Sequence, residues 1–330
     1  MTVRVGVIGV GLIGEDHVRR LTAVVDGASV TAVTDVDSGR AEAVAKQYGV
    51  PAVHPTGEDV IADPAVDAVV VASWGPTHEQ YVLAGIAAGR PVFCEKPLAT
   101  TREACERVLA AETAAGRRLV QVGFMRRYDD AYRGVKTAVA AGTIGAPLLA
   151  HMAHRNPAVP PTVTSEDAIN DSAVHEVDVT RWLLGEEITS VAVLSPRHSS
   201  HAAASLQDPM VVMFRTASGV LVDDELGLNV RYGYDIRCEV VCETGQARLP
   251  VSDPVPPDWR VRFSDAYDTE FRSWVADVTA GRPPSGPSAW DGYAATVVAG
   301  ACVSALYSGV WTDVVLSERP ALYGGSGGRS

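Results

Sequence analysis

A carboxylate and an imidazole stand four residues apart in the middle of the chain, at Asp171 and His175. If the surrounding residues form a helix, these two positions share one face, so the side chains can meet. A carboxylate beside an imidazole fixes the ring tautomer and raises its basicity, which suits removal of a proton from an alcohol. A helix cap at Asp171 and a surface histidine at 175 explain the same residues, so the pair alone leaves both interpretations open.

A lysine follows a short apolar run in the segment Glu95-Lys96-Pro97. Only three of the 28 cationic Lys and Arg residues are lysines, so the chain uses arginine wherever the choice of cation is indifferent. If the apolar run is a strand of a parallel sheet, Lys96 stands at its carboxyl end, where ligands bind. An ammonium group there can hold a substrate oxygen, and a solvated loop lysine is the alternative.

A glycine pattern near the start of the chain predicts a dinucleotide site. The segment Gly9-Val10-Gly11-Leu12-Ile13-Gly14 follows an apolar strand and precedes a helical stretch. In this pattern the first glycine permits a tight turn, the second lets the backbone approach a pyrophosphate, and the third lets helix and strand pack closely. The helix N-terminus then faces the phosphate charge. The alternative is that the glycines only make a turn.

Asp35 ends the second strand-like run, 21 residues after Gly14, where the dinucleotide pattern expects an acidic residue. Its carboxylate can accept both hydroxyls of an adenosine ribose and repels a 2′-phosphate, so we predict NAD rather than NADP. Arg40 weakens that preference if it swings over the site. As a plain structural residue, Asp35 would cap the following helix.

A second candidate cofactor segment follows the buried run that ends at Ala72. It contains Ser73, Trp74 and His78, and it stands at the same carboxyl edge of the predicted sheet. A helix cap at Thr77 and a packing role for Trp74 explain the segment equally well.

The elements that must position these residues change in kind near residue 123. Residues 1–122 alternate strand and helix signals, which predicts a doubly wound parallel sheet of the Rossmann type. Residues 123–330 contain several successive strands without helices between them, which predicts an α+β domain with a large, mostly antiparallel open sheet. We expect the first domain to hold the dinucleotide and the second to bind substrate and to mediate oligomerisation. The Gly/Ser/Arg tail at 324–330 predicts disorder.

The composition excludes several classes of partner. The chain has 28 Lys and Arg against 40 Asp and Glu, and the net charge of −12 disfavours nucleic acid and anionic membrane surfaces. The five scattered cysteines form no disulfide framework, no ligand set indicates a metal, and no segment reads as a signal or membrane span. We therefore expect a cytoplasmic protein.

Three of these motifs together resemble the glucose–fructose oxidoreductase/inositol dehydrogenase/rhizopine-catabolism oxidoreductase family: residues 9–14, the Glu95-Lys96-Pro97 turn and the segment from Asp171 to His175. Within that family the chain is most similar to the bacterial inositol 2-dehydrogenases. That similarity covers nearly the whole chain, in blocks at residues 5–9, 73–79, 93–101, 120–129, 153–157, 175–178, 232–235 and 290–293.

The resemblance implies NAD-dependent oxidation of myo-inositol to 2-keto-myo-inositol by a homotetramer. It places the catalytic residues at Lys96, Asp171 and His175. It also implies cofactor contacts and polyol contacts, and these polyol contacts suit a neutral substrate with many hydroxyl groups. The cofactor-binding residues are Gly9, Gly11, Leu12, Ile13, Gly14, Asp35, Ser73, Trp74, His78, Glu95 and Lys96. The substrate-binding residues are Lys96, Met125, Arg126, His154, Asn156, Asp171, His175 and Tyr234.

The resemblance leaves two alternatives open. The proline-containing loop at 158–162 departs from the family pattern, so another inositol isomer or an aldose such as glucose remains a candidate substrate. A non-catalytic, NAD-binding regulatory protein is an alternative of a different class, which would show a broken Lys/Asp/His set. That set is intact in this sequence.

Overall fold

The computed structural model describes residues 2–324 and divides the chain into two compact units. The first contains the chain up to Phe124, the segment Tyr267–Thr296 and the segment from Glu318 onward. The second contains Met125–Ala266 and Val297–Ser317. The predicted tail at 324–330 lies outside the described residues except for Gly324.

The sequence predicts a domain boundary after residue 122, and the structure places the first boundary two residues later, after Phe124. The second unit, however, is not the single continuous segment 123–330. Tyr267–Thr296 belongs to the first unit because aromatic side chains on it complete that unit's core. Phe271 stacks on Phe93 with ring centroids 4.4 Å apart, and Trp274 packs edge-on against Phe93 at 5.8 Å.

The first unit begins with alternating strands and helices. They are β1 (Val3–Ile8), α1 (Leu12–Ala23), β2 (Ala28–Thr34), α2 (Ser38–Tyr48), β3 (Ala52–Val53), α3 (Gly57–Ala62), β4 (Ala68–Val71), α4 (His78–Ala87), β5 (Val92–Glu95), α5 (Arg102–Ala115) and β6 (Val120–Gly123). Their six strands form one parallel sheet in the order β3-β2-β1-β4-β5-β6. The order reverses direction at β1 and β4, which is the switch point of a doubly wound fold.

The central strands of this sheet are buried on both faces. Every residue of β4, β5 and β6 is buried, and in β4 this burial explains the continuous apolar sequence Ala-Val-Val-Val. Helices on both faces are required to cover such strands, and the alternating chain supplies them. The predicted Rossmann-type sheet is confirmed.

The second unit contains a longer series of strands. Its elements are α6 (Asp130–Ala140), β7 (Pro147–Arg155), α7 (Ser165–Asp167), α8 (Val174–Leu184), β8 (Ile188–Leu194), β9 (Met210–Thr216), β10 (Leu221–Gly227), β11 (Asp235–Cys242), β12 (Gln246–Arg248) and α9 (Trp259–Arg262). The remaining elements are α10 (Ser264–Thr279), α11 (Ala289–Ser308) and β13 (Thr312–Asp313), and the first unit contains most of α10 and the start of α11.

The seven strands of the second unit form one sheet in the order β12-β11-β7-β10-β9-β8-β13. All pairs are antiparallel except β7 with β10. Residues of β9 alternate between buried and more exposed positions, as expected for a sheet covered on one face. The predicted large, mostly antiparallel sheet is therefore confirmed.

Several elements differ from the sequence prediction. The sequence predicts a polar stretch at 35–40 and a helix only from 41 to 48. The side chain of Asp37 accepts a hydrogen bond from the amide of Arg40 and caps α2, so the helix begins earlier, at Ser38. The short elements β3, α3, α9 and β13 were not predicted because two to six residues carry too little periodicity.

One helix, α11, is long and apolar enough to cross a membrane by length and composition alone. The sequence prediction that no segment reaches this level was wrong. Its buried share is 56%, and a core helix of a globular fold passes the same test, so the finding is weak evidence of a span.

Candidate functional site

The glycine loop between β1 and α1 has the geometry that the dinucleotide pattern requires. Gly9 has a φ of +86°, and a Cβ atom on it would lie 2.5 Å from the Cα atom of Ser73. A Cβ atom on Gly14 would collide with the carbonyl oxygen of Gly9. Neither position accepts a side chain, so both glycines are needed for this turn.

Gly11 differs from the other two glycines because a Cβ atom on it would meet no close contact. The nearest described side-chain atom to its Cβ position is Nη1 of Arg40, at 3.6 Å. Gly11 is the N-cap residue of α1, and no side chain caps this end of the helix. A phosphate group can therefore approach the positive end of the helix, and the cradle fits the pyrophosphate of a dinucleotide.

Asp35 lies directly after β2 and is held by two backbone amides. Its carboxylate oxygens accept hydrogen bonds from Val10 at 2.8 Å and from Asp37 at 2.9 Å. These bonds fix the carboxylate beside the glycine loop. Nearby apolar side chains are exposed: Leu12 and Trp74 are 65% and 76% exposed, as suits residues that cover a flat ring system.

The predicted cofactor residues Ser73 and His78 take structural contacts. The Ser73 hydroxyl lies 2.8 Å from the hydroxyl of Thr77. His78 is buried, and its ring nitrogens face the carbonyl oxygens of Pro97 at 2.7 Å and of Ser73 at 2.9 Å. Burial lowers the pKa of His78. A neutral ring donates to only one of these two oxygens at a time.

Lys96 is partly buried and directly follows β5, at the carboxyl end of a strand in the same sheet as β1, the strand that leads into the glycine loop. Its amide hydrogen-bonds to a carboxylate oxygen of Glu95 at 3.2 Å. The other carboxylate oxygen of Glu95 lies 2.7 Å from Nε2 of His17. His17 and Glu95 are both buried, and together they join α1 to the turn that carries Lys96.

The candidate base in the second unit stands at the start of α8. A π-helical turn (Ala168–Ala173) precedes α8, so the backbone at Asp171 is wider than the α-helix that the i, i+4 spacing assumed. Asp171 is exposed and His175 is buried. Such π-helical turns occur frequently at functional sites.

An ion pair between Arg126 and Glu176 lies in the interior of the second unit, where each side chain is 1% exposed. Burial lowers the pKa of Arg126, but the attraction of Glu176 outweighs it and the pKa lies above its usual value. Burial conversely raises the pKa of Glu176, and the charge of Arg126 brings it below its usual value. The pair is therefore charged.

His154 and Tyr234 extend this ion pair into a polar network. Nδ1 of His154 lies 3.1 Å from both Nη2 of Arg126 and Oε2 of Glu176, and its Nε2 lies 3.4 Å from the hydroxyl of Tyr234. The rings of His154 and His175 have centroids 6.3 Å apart. Burial raises the pKa of Tyr234, so its hydroxyl keeps its proton.

The structure thus gathers His154, His175, Tyr234 and Arg126 in the second unit. Met125 is buried in the same short helical turn as Arg126, and Asn156 follows β7, its backbone paired with Gly227 at 2.8 Å. The predicted cofactor residues and Lys96 belong to the first unit.

Several buried polar residues near the proposed site residues were not identified from the sequence, among them His17, Glu176 and Asp224. The only available signals were the place of His17 three residues after Gly14 and that of Glu176 beside His175. Asp224 is fully buried on β10, and within the described chain its carboxylate oxygens have no hydrogen-bond partner. Burial, with the charge of Glu176, raises the pKa of Asp224 well above its usual value.

Among the residues 2–324 no group of three or more His, Cys, Asp and Glu side chains is arranged to hold a metal ion. All five cysteines are buried and free of disulfide bonds.

Two family models match the chain. The model described as an oxidoreductase family with an NAD-binding Rossmann fold matches residues 3–124. The model described as a GFO/IDH/MocA C-terminal domain matches residues 132–248.

Curated relatives match over nearly their whole length. Inositol 2-dehydrogenase 3 of Saccharopolyspora erythraea is 55% identical, with 99% of each chain covered. Inositol 2-dehydrogenase of Burkholderia ambifaria is 50% identical, over 98% of this chain and all of the relative. Among solved structures, the myo-inositol dehydrogenase of Lactobacillus casei in complex with NAD(H) and myo-inositol is 38% identical. It superimposes with a TM-score of 0.95, over 98% of this chain and all of that one.

Proposed function

The chain belongs to the oxidoreductase family with an NAD-binding Rossmann fold and a GFO/IDH/MocA C-terminal domain. From that membership we propose that it oxidises myo-inositol to 2-keto-myo-inositol with NAD. Three relatives support the choice of substrate within the family. Two are named inositol 2-dehydrogenase, at 55% and 50% identity, and the third is a 38% identical structure that carries myo-inositol and NAD(H).

The polar network of the second unit is the observation that carries the proposal. His154, Tyr234 and the Arg126–Glu176 pair offer several hydrogen-bond donors and acceptors, and the ion pair compensates its own charge. A neutral polyol needs many donors and acceptors and no charged partner. The network therefore suits an inositol better than it suits a carboxylate or phosphate substrate.

The proposed substrate contacts are those of Met125, Arg126, His154, Asn156 and Tyr234. Arg126 acts mainly by holding Glu176 and His154, since its guanidinium is buried in that ion pair. Tyr234 and His154 present a hydroxyl and a ring nitrogen to the substrate.

The proposed catalytic residues are Lys96, Asp171 and His175. His175 takes the proton of the substrate hydroxyl, and Asp171 orients the imidazole and stabilises its charged form. The ammonium group of Lys96 stabilises the charge that develops on the substrate oxygen. When NAD is bound, its nicotinamide supplies the acceptor for the hydride that leaves the substrate carbon.

The proposed cofactor residues surround the first glycine loop. Gly9, Gly11 and Gly14 make the pyrophosphate cradle, and Asp35 accepts the ribose hydroxyls. The remaining proposed contacts are Leu12, Ile13, Ser73, Trp74, His78, Glu95 and Lys96. We assign these contacts because the residues lie at the carboxyl edge of the parallel sheet, where ligands of this fold bind.

We also propose a homotetramer in the cytoplasm, with the first domain holding NAD and the second binding the polyol and mediating assembly. One face of the seven-stranded sheet carries exposed polar side chains, such as His151 and Asp223 with Nδ1 and Oδ2 2.6 Å apart, and it is available to a second copy. Five free cysteines suit a reducing compartment. Sedimentation equilibrium tests the tetramer, and a monomer would contradict it.

The experiment that tests the activity mixes purified protein with myo-inositol and follows the appearance of NADH, with NADP in a parallel assay. We expect reduction of NAD and little reduction of NADP. Bound NAD without any reduction in the presence of myo-inositol would contradict the proposed substrate, and a panel of inositol isomers and aldoses would then identify the substrate.

A further inference from the structure

We propose that His17 is a positioning residue, which acts through Glu95 to hold the turn that carries Lys96. The proposal rests on the proposed function, in which Lys96 stabilises charge on the substrate oxygen. His17 belongs to the helix that follows the glycine loop, and the sequence places it 78 residues from Glu95.

The contact between His17 and Glu95 is short and closed to water. Nε2 of His17 lies 2.7 Å from Oε1 of Glu95, and the His17 side chain is fully buried. Three aromatic rings enclose the imidazole: Phe271 at 4.6 Å, Tyr267 at 5.8 Å and Phe93 at 5.9 Å between ring centroids. A hydrogen bond in such surroundings is stronger than one in water.

The tautomer of His17 follows from its surroundings. Its Nδ1 atom is buried and has no hydrogen-bond partner in the described part of the chain. Its Nε2 atom faces a carboxylate oxygen, which only accepts hydrogen bonds. We therefore assign the tautomer in which Nε2 carries the proton and donates a hydrogen bond to Glu95.

Glu95 passes this constraint to the backbone of Lys96. Its second carboxylate oxygen accepts a hydrogen bond from the backbone amide of Lys96, at 3.2 Å. Gly123 pairs with Glu95 across the sheet, and a Cβ atom on Gly123 would lie 3.1 Å from the carboxylate. Because Gly123 has no side chain, the carboxylate of Glu95 has room beside the neighbouring strand β6.

A lysine side chain needs such a constraint if its amine is to act at one place. Its four-carbon stem is flexible, so the position of the amine depends on where the backbone starts. Misplacement of a catalytic group by about 1 Å can cost about 10²-fold in rate. His17 lies on α1, at whose N-terminus the pyrophosphate cradle stands, and so it ties Lys96 to the helix that holds the cofactor.

The test compares two amide variants, His17→Gln and His17→Asn. Glutamine can place its amide donor near the position of Nε2, whereas asparagine falls short by one carbon–carbon bond, about 1.5 Å. Both bury an uncharged amide, so they match in polarity. Val18→Ala, which removes buried apolar volume from the same helix, controls for general loss of stability.

The first readout is kinetic. We expect kcat with myo-inositol to fall about tenfold or more in H17N and to stay within about threefold of the wild type in H17Q. The Kd for NADH, measured by fluorescence, stays close to the wild-type value in both variants, and V18A keeps its kcat.

The second readout does not depend on the substrate, so it distinguishes failure of this proposal from failure of the proposed function. Trace acetylation followed by peptide mass spectrometry measures the reactivity of Lys96 against Lys46 and Lys136, the other lysines of the chain. We expect the Lys96 ratio to change about threefold or more in H17N and to return in H17Q, since lysine amines respond strongly to their surroundings.

Equal behaviour of H17N and H17Q in the labelling assay overturns the proposal, as does an unchanged Lys96 ratio in H17N. A kcat loss in H17N that is matched by an equal weakening of NADH binding also overturns it, because His17 would then support only the cofactor cradle. If the wild type fails to oxidise myo-inositol, the labelling result alone decides.

Discussion

Nδ1 of His154 lies 3.1 Å from a carboxylate oxygen of Glu176, and the same carboxylate forms a buried ion pair with Arg126. One acidic side chain therefore fixes two of the residues that we propose to contact the polyol. Glu176 stands directly after the candidate base His175 on α8, so the same helix supplies the base and the group that orders its surroundings.

Replacement of Glu176 by glutamine is expected to lower the free energy of unfolding by about 3–5 kcal/mol, because the charge of Arg126 stays buried without its partner. Urea denaturation followed by tryptophan fluorescence measures the loss. Glu225→Gln is the matched control: Glu225 also pairs with an arginine but is 42% exposed, so its loss costs less than about 1 kcal/mol. Equal losses in the two variants would contradict a charged buried pair.

The variant Asp224→Asn is expected to gain stability relative to the wild type as the pH rises. Burial raises the pKa of Asp224 in the folded state, so the folded chain keeps a proton that the unfolded chain releases above about pH 3.9. The free energy of unfolding of the wild type therefore falls with rising pH, by about 1.4 kcal/mol per pH unit inside this window.

Asparagine does not titrate, so the stability difference between D224N and the wild type grows between pH 5 and pH 8. Urea denaturation at both values measures it, and Asp223→Asn on the exposed face of the same strand is the control. A difference that stays constant with pH would show that Asp224 titrates normally.

His175→Ala is expected to lower kcat by about 10²–10⁴-fold, the usual contribution of a general base. NADH binding is expected to survive, because the cofactor residues belong to the first unit. Steady-state kinetics and a fluorescence titration measure the two effects. His151→Ala removes an exposed histidine from β7 and serves as the control, and near-native turnover in H175A would exclude His175 as the base.

Lys96→Arg is expected to lose most of the activity, by about 10²-fold or more, although the positive charge is kept. The guanidinium is larger and planar, and it cannot occupy the place of a compact ammonium group. Steady-state turnover measures the loss, and Lys46→Arg on the exposed face of α2 is expected to change nothing. Full activity in K96R would rule out a demanding role for the amine.

Asp35→Asn is expected to shift cofactor preference towards NADP, with the NADP/NAD ratio of kcat/KM rising about tenfold or more. The substitution removes the charge that repels a 2′-phosphate, and like-charge contact costs several kcal/mol. One amide oxygen still accepts the hydrogen bond from Val10. Asp59→Asn on the exposed side of α3 is the control. An unchanged NADP/NAD ratio in D35N would show that a group other than Asp35 discriminates between the two cofactors.

The site was only partly predictable from sequence. The tight turn of the glycine loop was predictable, because Gly9 has a positive φ and Gly14 lies too close to the backbone of Gly9 to carry a side chain. The assignments of Lys96, Asp171 and His175 stay predictions. The i, i+4 argument for Asp171 and His175 assumed a regular α-helix, and the π-helical turn before α8 was invisible to it, since no local pattern marks the inserted residue.

The sequence by itself determined the fold class, the sheet of the first unit and the family. Strand and helix periods are local, and a fingerprint such as residues 9–14 with Asp35 depends on fixed spacing along the chain. These signals need no knowledge of which distant segments meet.

Only the tertiary structure decided which polar groups share an interior. Glu95 meets His17 across 78 residues, Glu176 meets Arg126 across 50, and the aromatic residues of α10 join the first unit rather than the second. Such pairs arise when the packing of whole elements removes their side chains from water, and buried polar groups must then find partners in whatever element lies opposite. No spacing along the chain encodes that choice.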